Sequence, residues 1–475
     1  MTVHHSTIQE IVWFGETGCV AAALSLPETV VKENKQRRVS ALGEPAPRFY
    51  LKRDKTHGWQ NRFKRLFRDR IQTEFKTGTR LKQAGVPVVE HVAWGRRGTD
   101  SYLLTQAFDG EPLTAFWRRI KGNRDAENEL ITALTELLTR FFRQSFYHPD
   151  LHGGNILVKA TEASLRLHFV DVYGVRRQRL TTARLITMLV FVLLLMDHRS
   201  ETDQKEVLSR FLDFFPGSTP ADLFYHVSRA WIQRLYKWRR TRLSKYLKSS
   251  SACDSWDTAQ GQVIARRESG REVITTLFAE CDRDHTFGNS SRVIHSETGG
   301  ERYMIERFDG WPSPGRQAWL TGVSLEIMGV PAVKNLAWLR GATTGWIIME
   351  DPDGKTLADI LSSDAPISDK HSRLAAAARL VLRLYRRGIA VQGLDLSEFI
   401  VTPHHELIIG CHDHIRIGSS PPSGARHDQN LELFLYRVCE QSEKHGLPLP
   451  EGVSPAQVKN DPLASLNILA RIADV

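Results

Sequence analysis

The segment Phe146-Tyr147-His148-Pro149-Asp150-Leu151-His152-Gly153-Gly154-Asn155-Ile156-Leu157-Val158 carries a carboxylate and, five residues later, an amide. Both sit on a loop that runs into the apolar strand Ile156-Leu157-Val158. Further on, Phe169-Val170-Asp171-Val172-Tyr173-Gly174 is a short apolar strand that ends in a second carboxylate. These residue types in this order suit phosphoryl transfer. Asp150 would orient and deprotonate an acceptor hydroxyl, with His148 in the same catalytic loop, while Asn155 and Asp171 would hold Mg²⁺ on nucleotide phosphates. A lone His-x-Asp is common by chance; the ordered set carries the argument.

Such chemistry also needs a cation on the phosphates, supplied from a strand and aimed by a helix carboxylate. Arg48-Phe49-Tyr50-Leu51-Lys52-Arg53 reads as a strand with Lys52 near its end, and Ile71 to Leu81 has helical character with Glu74 inside it. Lys52 paired with Glu74 is the expected ion pair. No G-x-G-x-x-G precedes Lys52, and no G-x-x-x-x-G-K-[ST] occurs. The expected first hairpin, Val31 to Val39, would instead cover the phosphates with Lys35, Arg37 and Arg38. Asp171-Val172-Tyr173-Gly174 has one residue more between Asp and Gly than the usual Asp-Phe-Gly.

The elements that must position these groups lie in a chain of 475 residues, too long for a single core. With 41% hydrophobic and 25% charged residues, the composition is that of a soluble globular protein. The five cysteines form no CxxC pair, which points to a reducing compartment and away from a disulfide framework or zinc site. The N-terminus lacks signal-peptide character. The apolar run Leu185 to Met196 is too short to span a bilayer and fits a buried helix.

The net charge of +10 is uneven. Arg229 to Lys248 contains no acidic residue and reads as an amphipathic basic helix, with Trp231, Leu235, Trp238 and Leu243 near helical spacing. A second basic cluster spans Lys52 to Arg70. Such faces attract polyanions, including anionic lipid headgroups and phosphorylated glycans. Without a nucleic-acid-binding motif, nucleic acid is not expected as a partner.

An internal repeat divides the chain. Gly85-Val86-Pro87 to Trp94 recurs as Gly329-Val330-Pro331 to Trp338, and Phe146 to Val158 aligns with Ile389 to Val401. In the second copy Asp150 becomes Gly393, Asn155 becomes Glu398, Glu74 becomes Ala318, and Lys52 becomes Ile305 or Glu306. Asp171 falls on His414, or on Asp413 with a shorter loop. Glycine cannot act as a base, so one site is expected. The expected fold class is α+β, with two tandem copies of one protein-kinase-like fold. The expected division is a catalytic domain over 1–250, a linker over 251–283 and a pseudokinase over 284–475.

The Arg37-Arg38 hairpin, Tyr50-Leu51-Lys52 followed by Gly58-Trp59, Glu74, the His148-x-Asp150 loop, Asp171 and the basic aromatic helix Trp231 to Tyr246 together resemble the lipopolysaccharide core kinases. That family phosphorylates heptose or Kdo sugars, and the resemblance covers roughly residues 25 to 250. It implies a two-lobed kinase using ATP and Mg²⁺ on a sugar hydroxyl of a lipid-linked core glycan, at the cytoplasmic face of the inner membrane. By the same resemblance Asp150 is the base, Asn155 and Asp171 are metal ligands, Lys52 binds phosphate and Glu74 is its partner. Peripheral contact with the anionic membrane through 229–248 would fit a cytoplasmic enzyme. The other readings are a serine/threonine protein kinase and a non-catalytic pseudokinase scaffold.

Overall fold

The computed structural model describes residues 11–447, apart from 56–68, 163, 284–292, 311–312, 314, 392–393, 411–414, 419 and 422–423, together with 468–469 and 472. The chain divides into two compact units, Met1–Trp231 and Ile232–Val475, with mixed α and β content in each.

In the first unit, β1 (Val12–Gly15), β2 (Glu28–Glu33), β3 (Arg37–Leu42), β4 (Phe49–Asp54), β5 (His91–Arg97) and β6 (Asp100–Gln106) form one antiparallel sheet in the order β1-β5-β6-β4-β3-β2. Alternation along β4 buries Leu51 while Lys52, next in the chain, faces the other side of the sheet. The helix Arg70–Gln83 packs on that sheet, with Ile71, Glu74, Gly78 and Leu81 buried. Its start is fixed by Asp69. One carboxylate oxygen caps the backbone N–H of Ile71 at 2.9 Å, and the other accepts from Arg96 Nε and Ser101 Oγ, both at 2.9 Å. The helix ends at Ala84, and Gly85 turns the chain back to the sheet with a φ of +71°, a conformation that favours glycine.

The helical half of this unit is built around Arg124–Arg143. Its Leu130, Ile131, Leu134, Leu137, Leu138, Phe141 and Phe142 recur at helical spacing and are all buried. At about 1.5–3 kcal/mol for each side chain taken from water, this stripe holds the core together. The helix Thr182–Leu195 contributes the apolar run noted in the sequence. Among the described residues no helix is long and apolar enough to cross a membrane. The strand Phe146–Tyr147 leads from this core into the loop of Asp150. The antiparallel pair Ile156–Ala160 (β9) and Leu165–Phe169 (β10) then leads to Asp171.

The second unit opens with a hairpin where a linker was expected. Here β12 (Cys253–Thr258) and β13 (Gly261–Arg266) pair along their whole length, and the helix Arg271–Arg283 follows. The polar residues Asp254, Ser255, Asp257 and Thr258 gave this stretch its linker-like composition. They belong to an edge strand, where one flank of the backbone is unpaired and polar side chains are tolerated. With β14 (Val293–Thr298), β15 (Glu301–Asp309), β16 (Asn335–Arg340) and β17 (Thr344–Glu350), the sheet runs β12-β13-β16-β17-β15-β14. The unit's helical part contains Ile367–Arg386 and Gly424–Lys444, with the small strands Phe399–Val401 (β20) and Leu407–Ile409 (β21).

The basic segment departs from its expected form. The helix Pro220–Leu243 carries Trp238 42% exposed, whereas Arg239 is buried. Arg239 donates to the carbonyls of Ile417 and Gly418, and Tyr236 Oη donates to the carbonyl of Gly388 at 2.6 Å. Burial pushes the Tyr236 phenol up to about 12. The exposed cationic residues of the helix's last turns are Lys237, Arg240 and Arg242, the last stacked 4.3 Å over the Trp238 ring. In the second basic cluster, Arg62, Lys64, Arg65 and Arg68 lie outside the described residues, as do Gly58 and Trp59.

Candidate active site

Lys52 stands on β4 opposite Val39 of β3 and Leu103 of β6. Its Nζ donates to Glu74 Oε1 at 2.6 Å and to Asp171 Oδ1 at 3.2 Å. Strand, helix and the end of β10 therefore meet on one ammonium. The Glu74 side chain is 2% exposed, and its Oε2 has no hydrogen-bond partner among the described residues. Arg37 adds a second cation: its Nη1 lies 3.9 Å from Asp171 Oδ2, and its Nε donates to Asp54 at 3.1 Å. Burial opposes the charge on Asp171, but Lys52, Arg37 and Arg70 together outweigh it and hold its pKa below the ordinary aspartate value. Asp171 also adopts a φ of +53°, a left-handed conformation that most non-glycine residues avoid. Such backbone strain recurs at functional positions.

These groups border a cleft of about 470 Å³, a size typical of small-ligand sites. Lys32, Asn34, Gln36 and Arg37 approach it from the hairpin, and Val89, Leu103, Phe108, Leu157 and Val170 give it an apolar interior. The hairpin turn is made by Asn34, whose side chain accepts the backbone N–H of Gln36 and of Arg37. Arg38, expected beside Arg37 on the nucleotide, is on the opposite side of the strand. It pairs with Glu28 at 2.8 Å, because neighbouring strand residues point to opposite faces. Lys35 does not line the cleft.

Asp150 lies on the adjoining loop, and its side chain is 75% exposed. The loop is held from within. Asn155 Nδ2 donates to the carbonyl of Asp150 at 2.9 Å, and the N–H of Val170 donates to the carbonyl of Asn155 at 2.9 Å, coupling the loop to the segment of Asp171. His148 is buried, and its Nδ1 accepts the backbone N–H of Asp150 at 3.2 Å. Burial lowers its pKa to about 4, so the ring is neutral near pH 7 and carries its proton on Nε2. His148 thus touches Asp150 through the backbone, not through the carboxylate.

Several residues around the cleft escaped the sequence reading. Asp69 was legible as an aspartate just ahead of a helix. His91 was not: it lines the cleft with its ring packed on Gly78, where an added Cβ would come within 2.2 Å of Nδ1. Burial lowers the pKa of His91. His152 has its Nε2 3.8 Å from Asp150 Oδ2, and its Nδ1 accepts the N–H of Gly154.

Among the described residues no group of three or more His, Cys, Asp or Glu side chains is arranged to hold a metal ion. A single carboxylate facing a phosphate-sized cleft nevertheless suits Mg²⁺, which keeps several waters and shares phosphate oxygens.

The region that carries this site matches a kinase family. Residues 21–187 match the model of the lipopolysaccharide kinase (Kdo/WaaP) family, and the match ends before the second unit begins. Two structures of WbdD are among the solved structures that it matches. The crystal structure of WbdD shares 16% identity over 42% of this chain and 44% of that one, with a TM-score of 0.30. A structure of the bifunctional kinase-methyltransferase WbdD shares 17% identity over 41% and 42%, also at 0.30. The chain thus spans less than half the length of the solved chains that it matches. No curated protein matches it.

Proposed function

We propose that the first unit transfers phosphate from ATP to a sugar hydroxyl of the lipopolysaccharide inner core. The observation that carries this reading is the meeting of Lys52, Glu74 and Asp171 in one cleft, within the segment that matches the family. Bound ATP with Mg²⁺ supplies the transferable phosphoryl group and the divalent charge that neutralises it. Lys52, aimed by Glu74, grips the phosphates, and Arg37 takes the place that glycine amides hold in other kinases. Asp171 and Asn155 are the metal ligands in this reading. Asn155 would ligate through its amide oxygen, which the bond from Nδ2 to the Asp150 carbonyl does not occupy. Asp150 accepts the proton of the acceptor hydroxyl at its carboxylate, and His148 and Asn155 hold the backbone that carries it.

The second unit is read as a degenerate pseudokinase copy that supports the first or helps hold the acceptor. Where Asn155 stands in the first unit, Glu398 stands here, accepting the N–H of Asp395 in a capping box, while Asp395 pairs with Arg437. Residues Gly393, Asp413 and His414 of that comparison lie outside the described residues. The exposed face of Lys237, Trp238, Arg240 and Arg242 supports peripheral contact with an anionic inner-membrane surface from the cytoplasm, by charge and by an interfacial tryptophan.

Incubation with labelled ATP and deacylated core oligosaccharide tests the reaction. Asp150→Asn should lower transfer by about 10²–10⁴-fold with the far-UV spectrum unchanged. Transfer at the wild-type rate would remove Asp150 from the mechanism, and labelling of protein but not glycan would assign a protein acceptor.

A further inference from the structure

Just past Asp171 the chain carries an unbalanced charge. From Val172 to Met196 there is no acidic residue, while Arg176, Arg177, Arg179 and Arg184 fall within nine positions. Arg176, Arg177 and Arg179 are exposed. None of the four forms an ion pair with a carboxylate among the described residues, although most other arginines lining the first unit's cleft and sheet do.

The topology sets this strip beside the catalytic loop. Arg176–Arg177 (β11) pairs antiparallel with Phe146–Tyr147 (β8), Arg176 opposite Tyr147 and Arg177 opposite Phe146. Asp150 follows Tyr147 by three residues. On the way, the chain passes close to the loop, since a Cβ added at Gly174 would lie 3.2 Å from Pro149, the neighbour of Asp150. Arg184 folds over the Tyr147 ring at 5.7 Å and donates to the carbonyl of Arg179 at 2.9 Å, holding the strip in place.

We propose that Arg176, Arg177 and Arg179 form the acceptor site, and that they bind a phosphate or carboxylate already present on the glycan near the hydroxyl to be phosphorylated. This rests on the kinase reading and deepens it: the acceptor is an anionic sugar chain, not a neutral one. Arginine suits both anions, because its planar fork meets two oxygens at once. Four clustered cations without carboxylate partners repel one another, and an incoming anion relieves that repulsion. The nucleotide cleft is served by different cations, Lys52, Arg37 and Arg70, so the two sets can be separated by mutation.

Binding decides the matter independently of turnover. The full chain carrying Asp150→Asn is titrated with deacylated inner-core oligosaccharide, first intact, then with its phosphates removed and carboxyls reduced. The intact form is expected to bind roughly tenfold or more tightly than the neutralised form. Arg176→Ala with Arg177→Ala should bring the intact form down to the neutralised level, and Arg176→Lys with Arg177→Lys should recover part of the loss. Binding of a fluorescent ATP analogue should be the same in all of them, which also reports that each variant is folded. Equal binding of the two oligosaccharides, or undiminished binding by the alanine variant, would overturn the proposal. Arginine-dependent binding to phosphatidylglycerol vesicles without arginine-dependent binding to the oligosaccharide would overturn it too, assigning the strip to lipid. If wild-type protein transfers no phosphate to glycan, the kinase reading fails on that measurement alone, whatever the binding shows.

Discussion

Two four-strand blocks, β5-β6-β4-β3 in the first unit and β16-β17-β15-β14 in the second, share strand order, direction and even an irregularity. The register shifts between His91 and Ala93 in one and between Asn335 and Ala337 in the other. Beyond the sheet, Val89 and Phe169 exchange a backbone bond as Val333 and Ile409 do. Against this common frame the chemistry diverges. Trp94 pairs with Leu103 and Trp338 with Ile347, so Lys52, opposite Leu103, corresponds to Glu306, opposite Ile347. A cation at the heart of one cleft is matched by a carboxylate in the other unit. Apolar pairing and glycine turns specify the frame, and they tolerate charge reversal at this position.

The strongest way to break this comparison is to exchange those charges. Lys52→Met should lower kcat by about 10²–10³-fold, since one electrostatic partner of the transferred group is lost. It should also lower stability by about 3–5 kcal/mol, because Glu74 would be left buried without its ammonium. The reverse change, Glu306→Lys in a chain carrying Asp150→Asn, should transfer no more phosphate than Asp150→Asn alone, since Ala318 supplies no carboxylate to aim the new lysine. Transfer above the level of Asp150→Asn alone would show that the second unit can work as a site once given the lysine.

The residue types at the site were legible in the sequence because strand and helix periods are short-range. Lys52 before a break, and Glu74 on a helix ahead of Gly85-Val86-Pro87, could be placed without tertiary knowledge. What pairing alone fixes was not legible. The counterpart of Asp171 was set at His414 or Asp413, but Ile156 pairs with Phe169 and Phe399 with Ile409, so the second loop is three residues shorter. Counted from those pairs, the matching position in the sequence is Cys411, outside the described residues. Nor did composition reveal the β12–β13 hairpin. In the described structure β13 pairs with β16 as β1 pairs with β5, so the second unit's sheet begins about thirty residues before the expected boundary at 284.

A second difference sharpens the comparison through pH. His148 corresponds in the repeat to Val391, and both are buried. The pKa of His148 is lowered from 6.5 to about 4 in the folded chain, so the unfolded state binds a proton more readily. Its contribution to stability is therefore complete above pH 6.5 and is lost as pH falls towards 4, amounting to about 2 kcal/mol by pH 5. Valine has nothing to titrate. Hydrogen exchange at pH 5 against pH 7 should show protection falling around 146–175 but not around 389–410. His148→Gln should flatten the difference. Equal loss in both regions would mean that burial of His148 is not its source.

The smallest expected effect concerns how each helix is locked to its sheet. His91 and Asn335 occupy matching strand positions, and Gly78 and Gly322 matching helix positions. Asn335 donates from Nδ2 to the helix carbonyls of Ala318 and Trp319, at 3.2 and 3.3 Å. His91 uses shape instead: its Nδ1 bonds to the Val89 carbonyl at 2.9 Å, and its ring fills the notch left by Gly78. One turn ahead of Gly78 on the same helix is Glu74, so displacing the helix misaims Lys52. Gly78→Ala should destabilise by about 1–2 kcal/mol and raise the KM for ATP, since the new methyl group overlaps the ring. Adding His91→Ala removes the overlap and should restore the KM. Asn335→Ala should cost about 1–2 kcal/mol through its two lost bonds and leave the KM unchanged. If Gly78→Ala leaves the KM for ATP at its wild-type value, the helix is positioned by Asp69 and the core alone, and the ring of His91 is only filler.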